Sequence, residues 1–159
     1  MHSNPFSDEE LSRRLSATRQ EMAARGLDLI LLSAPEHVFY LTGLDHWGYF
    51  APHVLIVAAE GELVLVTRAM EHVAIRNQVR NATFIGHSDS ESAADVVVKH
   101  LKGASSGKTI GLEAASAGLS YAMGQSLKQG IDGASWVDIT GMLDEMRLVK
   151  SIEEQRFMR

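Results

Sequence analysis

The residues whose types and spacing best suit chemistry are Asp45, His46, Trp47, Tyr49, Phe50 and His53, gathered in the stretch YLTGLDHWGYFAPH. Imidazoles can hydrogen-bond a carboxylate or a carbonyl near neutral pH, although for His46 and His53 a structural role is the expected one, and rigid aromatic rings give large contact area at low entropic cost. Such a set would make a lid or wall over a small substrate. Gly43, Gly48 and Pro52 interrupt helical and strand patterns alike, so the segment reads as an exposed loop whose three apolar rings need a cover. Packing in a core or at an interface would account for the same rings, and for Tyr40, inside the preceding helical turn, core is the expected place. Arg68 adds a guanidinium at the end of a strand, where it could hold a carboxylate, although an ion pair with nearby Glu71 is the expected arrangement. The candidate substrate-contacting set is therefore His46, Trp47, Tyr49, Phe50, His53 and Arg68.

Other chemistries find no support. The chain has no cysteine, which removes thiol nucleophiles, disulfides and thiolate metal sites. The spacings among His37, His46 and His53 match no metal-binding pattern, so no metal ligand is assigned and ordinary hydrogen-bonded or solvated histidines are expected. The run GASSGKT (103–109) is one residue short of a phosphate-binding loop, and it precedes a strand instead of linking a strand to a helix. Ser33, Ser116 and Ser120 lack a nucleophile-elbow context, and no carboxylate pair has a recognisable acid–base arrangement. No catalytic residue is assigned.

The elements that must position the loop are legible. Ser7-x-x-Glu10 is a capping box, flanked by Phe6 and Leu11 at staple positions. Leu11, Leu15, Thr18 and Met22 then mark the inner face of a helix, Arg13, Arg14, Arg19 and Arg25 lie mostly elsewhere, and Gly26 stops it. LDLILLS (27–33) is apolar throughout and too short for a helix, as in a central strand covered on both faces. Pro35 opens a helical turn that Gly43 ends. Residues 53–67 read as two strands joined at Glu60-Gly61 in an antiparallel hairpin. A helix with Met70, Val73, Ala74 and Val79 inward follows, and strands and helices alternate from there to GMLDEMRLV. The expected fold is a three-layer α/β/α domain with a mixed sheet.

With 159 residues, 45% of them apolar, the chain can bury one sizeable core. Fifteen basic against twenty acidic residues, net charge −5 with no block of like charge, exclude the footprint of a nucleic-acid binder. The longest apolar runs, around LILLSA and VLIVAA, are far too short to cross a membrane, and no export signal opens the chain, so neither a nucleic acid nor a membrane is an expected partner and the cytoplasm is the expected location. The final segment MRLVKSIEEQRFMR starts a new helix at Ser151, again with Ser-x-x-Glu capping, and reaches Arg159 after barely two turns. That helix has no visible partner in the sequence. The expected organisation is a domain over 1–149, with 150–159 a linker and the start of a following domain.

The opening RRLSATRQEMAARGLDLILLS, then PEHVFYLTG, the hairpin ending in LVTRAMEHVA, and DEMRLVKSIEEQRFMR resemble the N-terminal domain of the creatinase/prolidase family, which includes Xaa-Pro aminopeptidases, Xaa-Pro dipeptidases and creatinase. The resemblance implies a ribonuclease H-like topology without that activity. It implies that catalysis resides in a C-terminal domain, with a divalent metal pair (Mn, Co or Zn) in the metal-dependent members and none in creatinase-like ones, so this chain carries no cofactor itself. It further implies a homodimer, contact with the chain's own catalytic domain, and a small peptide or amidine substrate, the loop after YLTG reaching the pocket of a neighbouring subunit. The alternative is a peptide- or protein-binding module of a catalytically inactive relative.

Overall fold

The computed structural model describes residues 4–46 and 51–159. Helix α1 (Asp8–Ala24) starts at Ser7, whose side chain accepts from the Glu10 amide at 3.1 Å. It ends in a Schellman motif: Gly26 lies at φ 65°, its amide bonds the Ala23 carbonyl, and the Leu27 amide bonds that of Met22. There follow β1 (Leu29–Leu32), α2 (Pro35–Thr42), β2 (Val54–Ala58), β3 (Leu63–Arg68), a 3-10 turn (Ala69–Glu71), α3 (His72–Gln78) and β4 (Ala82–His87). The remainder is α4 (Ala93–Leu101), β5 (Thr109–Leu112), α5 (Tyr121–Gly130), β6 (Ser135–Asp138), α6 (Met142–Met146) and α7 (Ile152–Phe157).

The strands form one mixed sheet in the order β4-β3-β2-β1-β5-β6. Only β2 runs against its neighbours. The meander β1-β2-β3 is continued on the far side of β1 by β5 and β6, as in ribonuclease H-like topology. All four residues of β1 are buried, because helices cover both faces. Ile30, Leu32, Leu55 and Leu65 pack with Met22, Leu41, Ile75 and Leu143 of α1, α2, α3 and α6. Leu29, Leu31, Ile56 and Val66 pack with Val97, Leu101, Met123 and Leu127 of α4 and α5. Alternation along each strand thus feeds two cores, one per face.

Four expectations about individual residues give way to tertiary contacts. Arg14 is not on an outer face of α1 but fully buried. Its guanidinium carbon sits 3.8 Å from the Phe6 ring centre and 4.6 Å from that of Tyr40, and it bonds Glu10 Oε1 and the Tyr40 carbonyl, each at 2.8 Å. The capping box at Ser7 is half replaced: the Ser7 amide donates to Glu153 Oε2 at 2.9 Å, while Glu10 turns to a fork with Arg13 that holds its carboxyl down at about 2. Met70 and Val73 are 66% and 46% exposed, and Ile75 is the buried residue of α3; the 3-10 turn rotates the phase that a single helix over 69–79 would have. The terminal helix α7 does have a partner. Glu153 accepts from Ser7 Oγ at 2.6 Å, Glu154 Oε1 lies 3.7 Å from Arg14, and Phe157 packs against Phe6 and Phe39 with ring centres 6.0 and 5.9 Å apart. A six-residue helix is marginal alone, and this docking is what stabilises it. Tyr40 is core, as expected, at 5% exposure.

Candidate functional site

Because β1, β3, β4, β5 and β6 are mutually parallel, they end at one edge of the sheet, and antiparallel β2 begins there. Ligands of open α/β sheets bind outside this carboxyl edge. His53 directly precedes β2, Arg68 ends β3, His87 ends β4 and Glu113 follows β5. The register Val54↔Val66, extended by one residue, sets His53 opposite Thr67. Both lie on the Leu55 and Leu65 face.

Gly43, at φ 73°, caps α2 and releases the chain toward this edge. Residues 44–46 then fold back so that His46 stacks on His53, ring centres 3.3 Å apart and planes at 26°. The His53 Nδ1 proton is donated to the Ala51 carbonyl at 2.6 Å, which leaves Nε2 as a lone-pair acceptor. That Nε2, both ring nitrogens of His46 and Thr67 Oγ1 are buried and unpartnered among the described residues. Burial holds the His46 ring neutral, lowering its pKa to about 4 despite Asp45. Burial, then the His46 charge, lowers that of His53 to about 3 against the Ala51 bond. The pair offers neutral imidazole nitrogens that can accept from a substrate N–H or donate to a carbonyl. Near-parallel stacking keeps their in-plane lone pairs from converging on one ion, and the described residues contain no group of three or more potential metal ligands.

Arg68 is on the other face, the Val66 side. It bonds Asp89 through Nε at 3.2 Å and also through Nη2, in place of the expected pair with Glu71. The structure thus brings His46 and His53 together and leaves Arg68 apart. Trp47, Tyr49 and Phe50 lie outside the described residues. Clefts of about 430 Å³ beside α5 and about 450 Å³ between α4 and α5 are lined by other residues.

A second cluster had no signature in the sequence. His37 of α2 is buried between two carboxylates: Nδ1 meets Glu113 Oε1 in a short contact, and Nε2 meets Asp144 Oδ1 at 3.0 Å. Its partners are 76 and 107 residues away in the chain, so no local spacing announces them. His37 therefore converges with neither His46 nor His53. His87 Nε2 and the Thr67 hydroxyl were likewise invisible as orphaned groups, since pairing is a property of the fold.

Residues 14–149 match the sequence profile of the creatinase/prolidase N-terminal domain. The chain belongs to this family. A putative dipeptidase of Bacillus subtilis is 30% identical over 151 residues, 92% of this chain and 40% of that protein. Ectoine hydrolase of Halomonas elongata is 39% identical over 67 residues, 42% of this chain and 17% of that protein. The crystal structure of a prolidase from Thermococcus sibiricus superposes with a TM-score of 0.78 at 20% identity, over 94% of this chain and 40% of that one, a likeness of fold. This chain thus spans two-fifths or less of each of these three family relatives. No helix among the described residues is long and apolar enough to cross a membrane.

Proposed function

We propose that this chain is the non-catalytic N-terminal domain of a creatinase/prolidase-family hydrolase, and that the loop after α2 forms part of the substrate pocket of a neighbouring subunit in a homodimer. The observation that carries the reading is the His46–His53 stack at the carboxyl edge: neutral, buried imidazoles with unused hydrogen-bonding capacity, in the same loop as Trp47, Tyr49 and Phe50. Buried polar groups are normally paired, so unspent nitrogens favour a partner from outside the chain. The relatives' names, dipeptidase and ectoine hydrolase, support a small amide or amidine as substrate, cleaved by residues of a catalytic domain in the remainder of the protein. A metal pair, where the enzyme uses one, belongs to that domain, and the cytoplasm is its compartment.

The test is Trp47→Ala and Phe50→Ala in the full-length enzyme, assayed on a proline dipeptide and on ectoine. A ring that packs against substrate contributes about 1.5–3 kcal/mol, so kcat/KM should fall by about tenfold or more with the oligomeric mass unchanged. Unaltered kinetics with a weakened dimer would assign the loop to assembly alone. Peptide binding without turnover of any substrate would favour a binding module instead.

A further inference from the structure

The His37 cluster lies apart from the loop and has no part in the function proposed above. Its geometry makes a demand on protonation. A neutral imidazole carries one N–H, yet both ring nitrogens of His37 face a carboxylate oxygen, Glu113 on one side and Asp144 on the other. Only the doubly protonated ring donates to both. We propose that His37 is a proton-operated clasp between the end of β5 and α6: charged, it ties α6 to the sheet, and neutral, it keeps Glu113 and releases Asp144.

The two carboxylates differ in what holds them. Glu113 is 3% exposed and accepts from the Ser33 and Ala34 amides at 2.8 and 3.1 Å. It cannot leave without stranding two buried donors. Asp144 has a side chain 60% exposed, whose other hydrogen bond among the described residues is from Arg147 Nη1 at 3.4 Å, so water can replace a lost donor there. Helix α6 is five residues long and has no side-chain cap at Gly141. Met142 and Leu143 anchor its inner side, and the clasp tethers its outer turn, which leads through residues 147–151 into α7.

The charged groups facing the ring are Glu113, Asp144 and Arg147. Burial opposes the charged ring, but bonding to Glu113, its charge and the bond to Asp144 outweigh burial and the opposing Arg147, so the pKa lies above the ordinary 6.5. A raised folded-state pKa means that the stabilisation is complete below the unfolded value and disappears as pH rises through the folded one. The clasp therefore opens on the alkaline side of pH 6.5.

The experiment is an NMR titration of the His37 ring in the intact chain from pH 5 to 9, with amide exchange of residues 144–148 corrected for intrinsic rates, for the wild type and Asp144→Asn. The wild type should titrate above the ordinary histidine value, and protection of 144–148 should fall by about tenfold through the same midpoint. Asp144→Asn, an exposed substitution that keeps the core, should lower the midpoint and flatten the pH dependence of protection. A wild-type midpoint at or below the ordinary value, protection of 144–148 that does not change with pH, or an Asp144→Asn variant that titrates like the wild type would each overturn the clasp.

Discussion

Replacing Arg14 by methionine tests whether a charge buried between α1, α2 and α7 is worth its desolvation. Exchange of a whole buried ion pair for apolar side chains is often neutral, whereas removal of one partner costs about 3–5 kcal/mol. Arg14→Met is the second kind of change, with one mitigation. Glu10 keeps its fork with Arg13 at 2.9 and 2.8 Å. The Tyr40 carbonyl, in the last turn of α2 where no intrahelical donor is available, loses its 2.8 Å partner, and Glu154 loses its cation. Two ring faces also lose a guanidinium, each worth about 0.5–2 kcal/mol. Methionine refills most of the stem volume, so the net loss should be about 3 kcal/mol. At about 2–4 °C per kcal/mol for a chain of this size, the melting temperature should fall by about 10 °C. Urea unfolding followed by circular dichroism measures both the midpoint and the slope. Arg14→Lys, which keeps charge without the planar fork, should recover less than half of the loss. A change below about 1 kcal/mol in Arg14→Met with an unaltered slope would refute the reasoning and make the guanidinium dispensable.

Two further outcomes follow from single contacts. A β-carbon at Gly118 would overlap the Ser33 carbonyl oxygen, so Gly118→Ala should cost about 2–3 kcal/mol, read from the same urea curves; a cost below about 0.5 kcal/mol would mean that the 113–120 loop is free to move away from β1. The lowered pKa values of His46 and His53, about 4 and about 3, mean that the unfolded chain binds protons first, so stability from this pair is complete above pH 6.5 and drains away as pH falls toward 3. His46→Gln/His53→Gln should flatten that acid limb, and a limb of unchanged steepness would contradict the neutral stack.

Local patterns in the sequence specify local structure, and here they carried far. Continuous apolarity placed β1 at the centre, Ser-x-x-Glu pairs marked two helix starts, and Gly26 and Gly43 sit at positive φ where they end helices. Contacts between distant segments were out of reach. Arg14 reads as a surface arginine because charge is normally solvated, and only the approach of Phe6, Tyr40 and Glu154 makes its burial tolerable. Arg68 was drawn to Asp89 instead of Glu71 because β3 and β4 run side by side in register, Arg68 beside His87. Residue types make His46 and His53 candidates for the proposed site, but their stacking and the separation of Arg68 depend on which sheet face each strand end presents.

The two edges of the sheet differ in a way that bears on what the domain meets. At the edge where β1 and β5 begin, polar groups close on one another: Asp28 accepts the Thr109 amide at 2.8 Å and approaches Lys108 at 3.7 Å, and Arg19 covers the Ala58 and Gly61 carbonyls at 3.0 and 2.5 Å. At the carboxyl edge, His46, His53, Thr67 and His87 keep buried atoms unpaired among the described residues; the remaining examples are Arg14 Nη2 and Asn81 Oδ1. Each such group costs about 1–3 kcal/mol when nothing satisfies it. Stability alone would favour apolar side chains at such positions. Their concentration at the edge where the loop after α2 leads into β2 is therefore better explained by hydrogen bonds made to something outside the chain, since at the opposite edge the unpaired buried atom among the described residues is Asn81 Oδ1, just before β4.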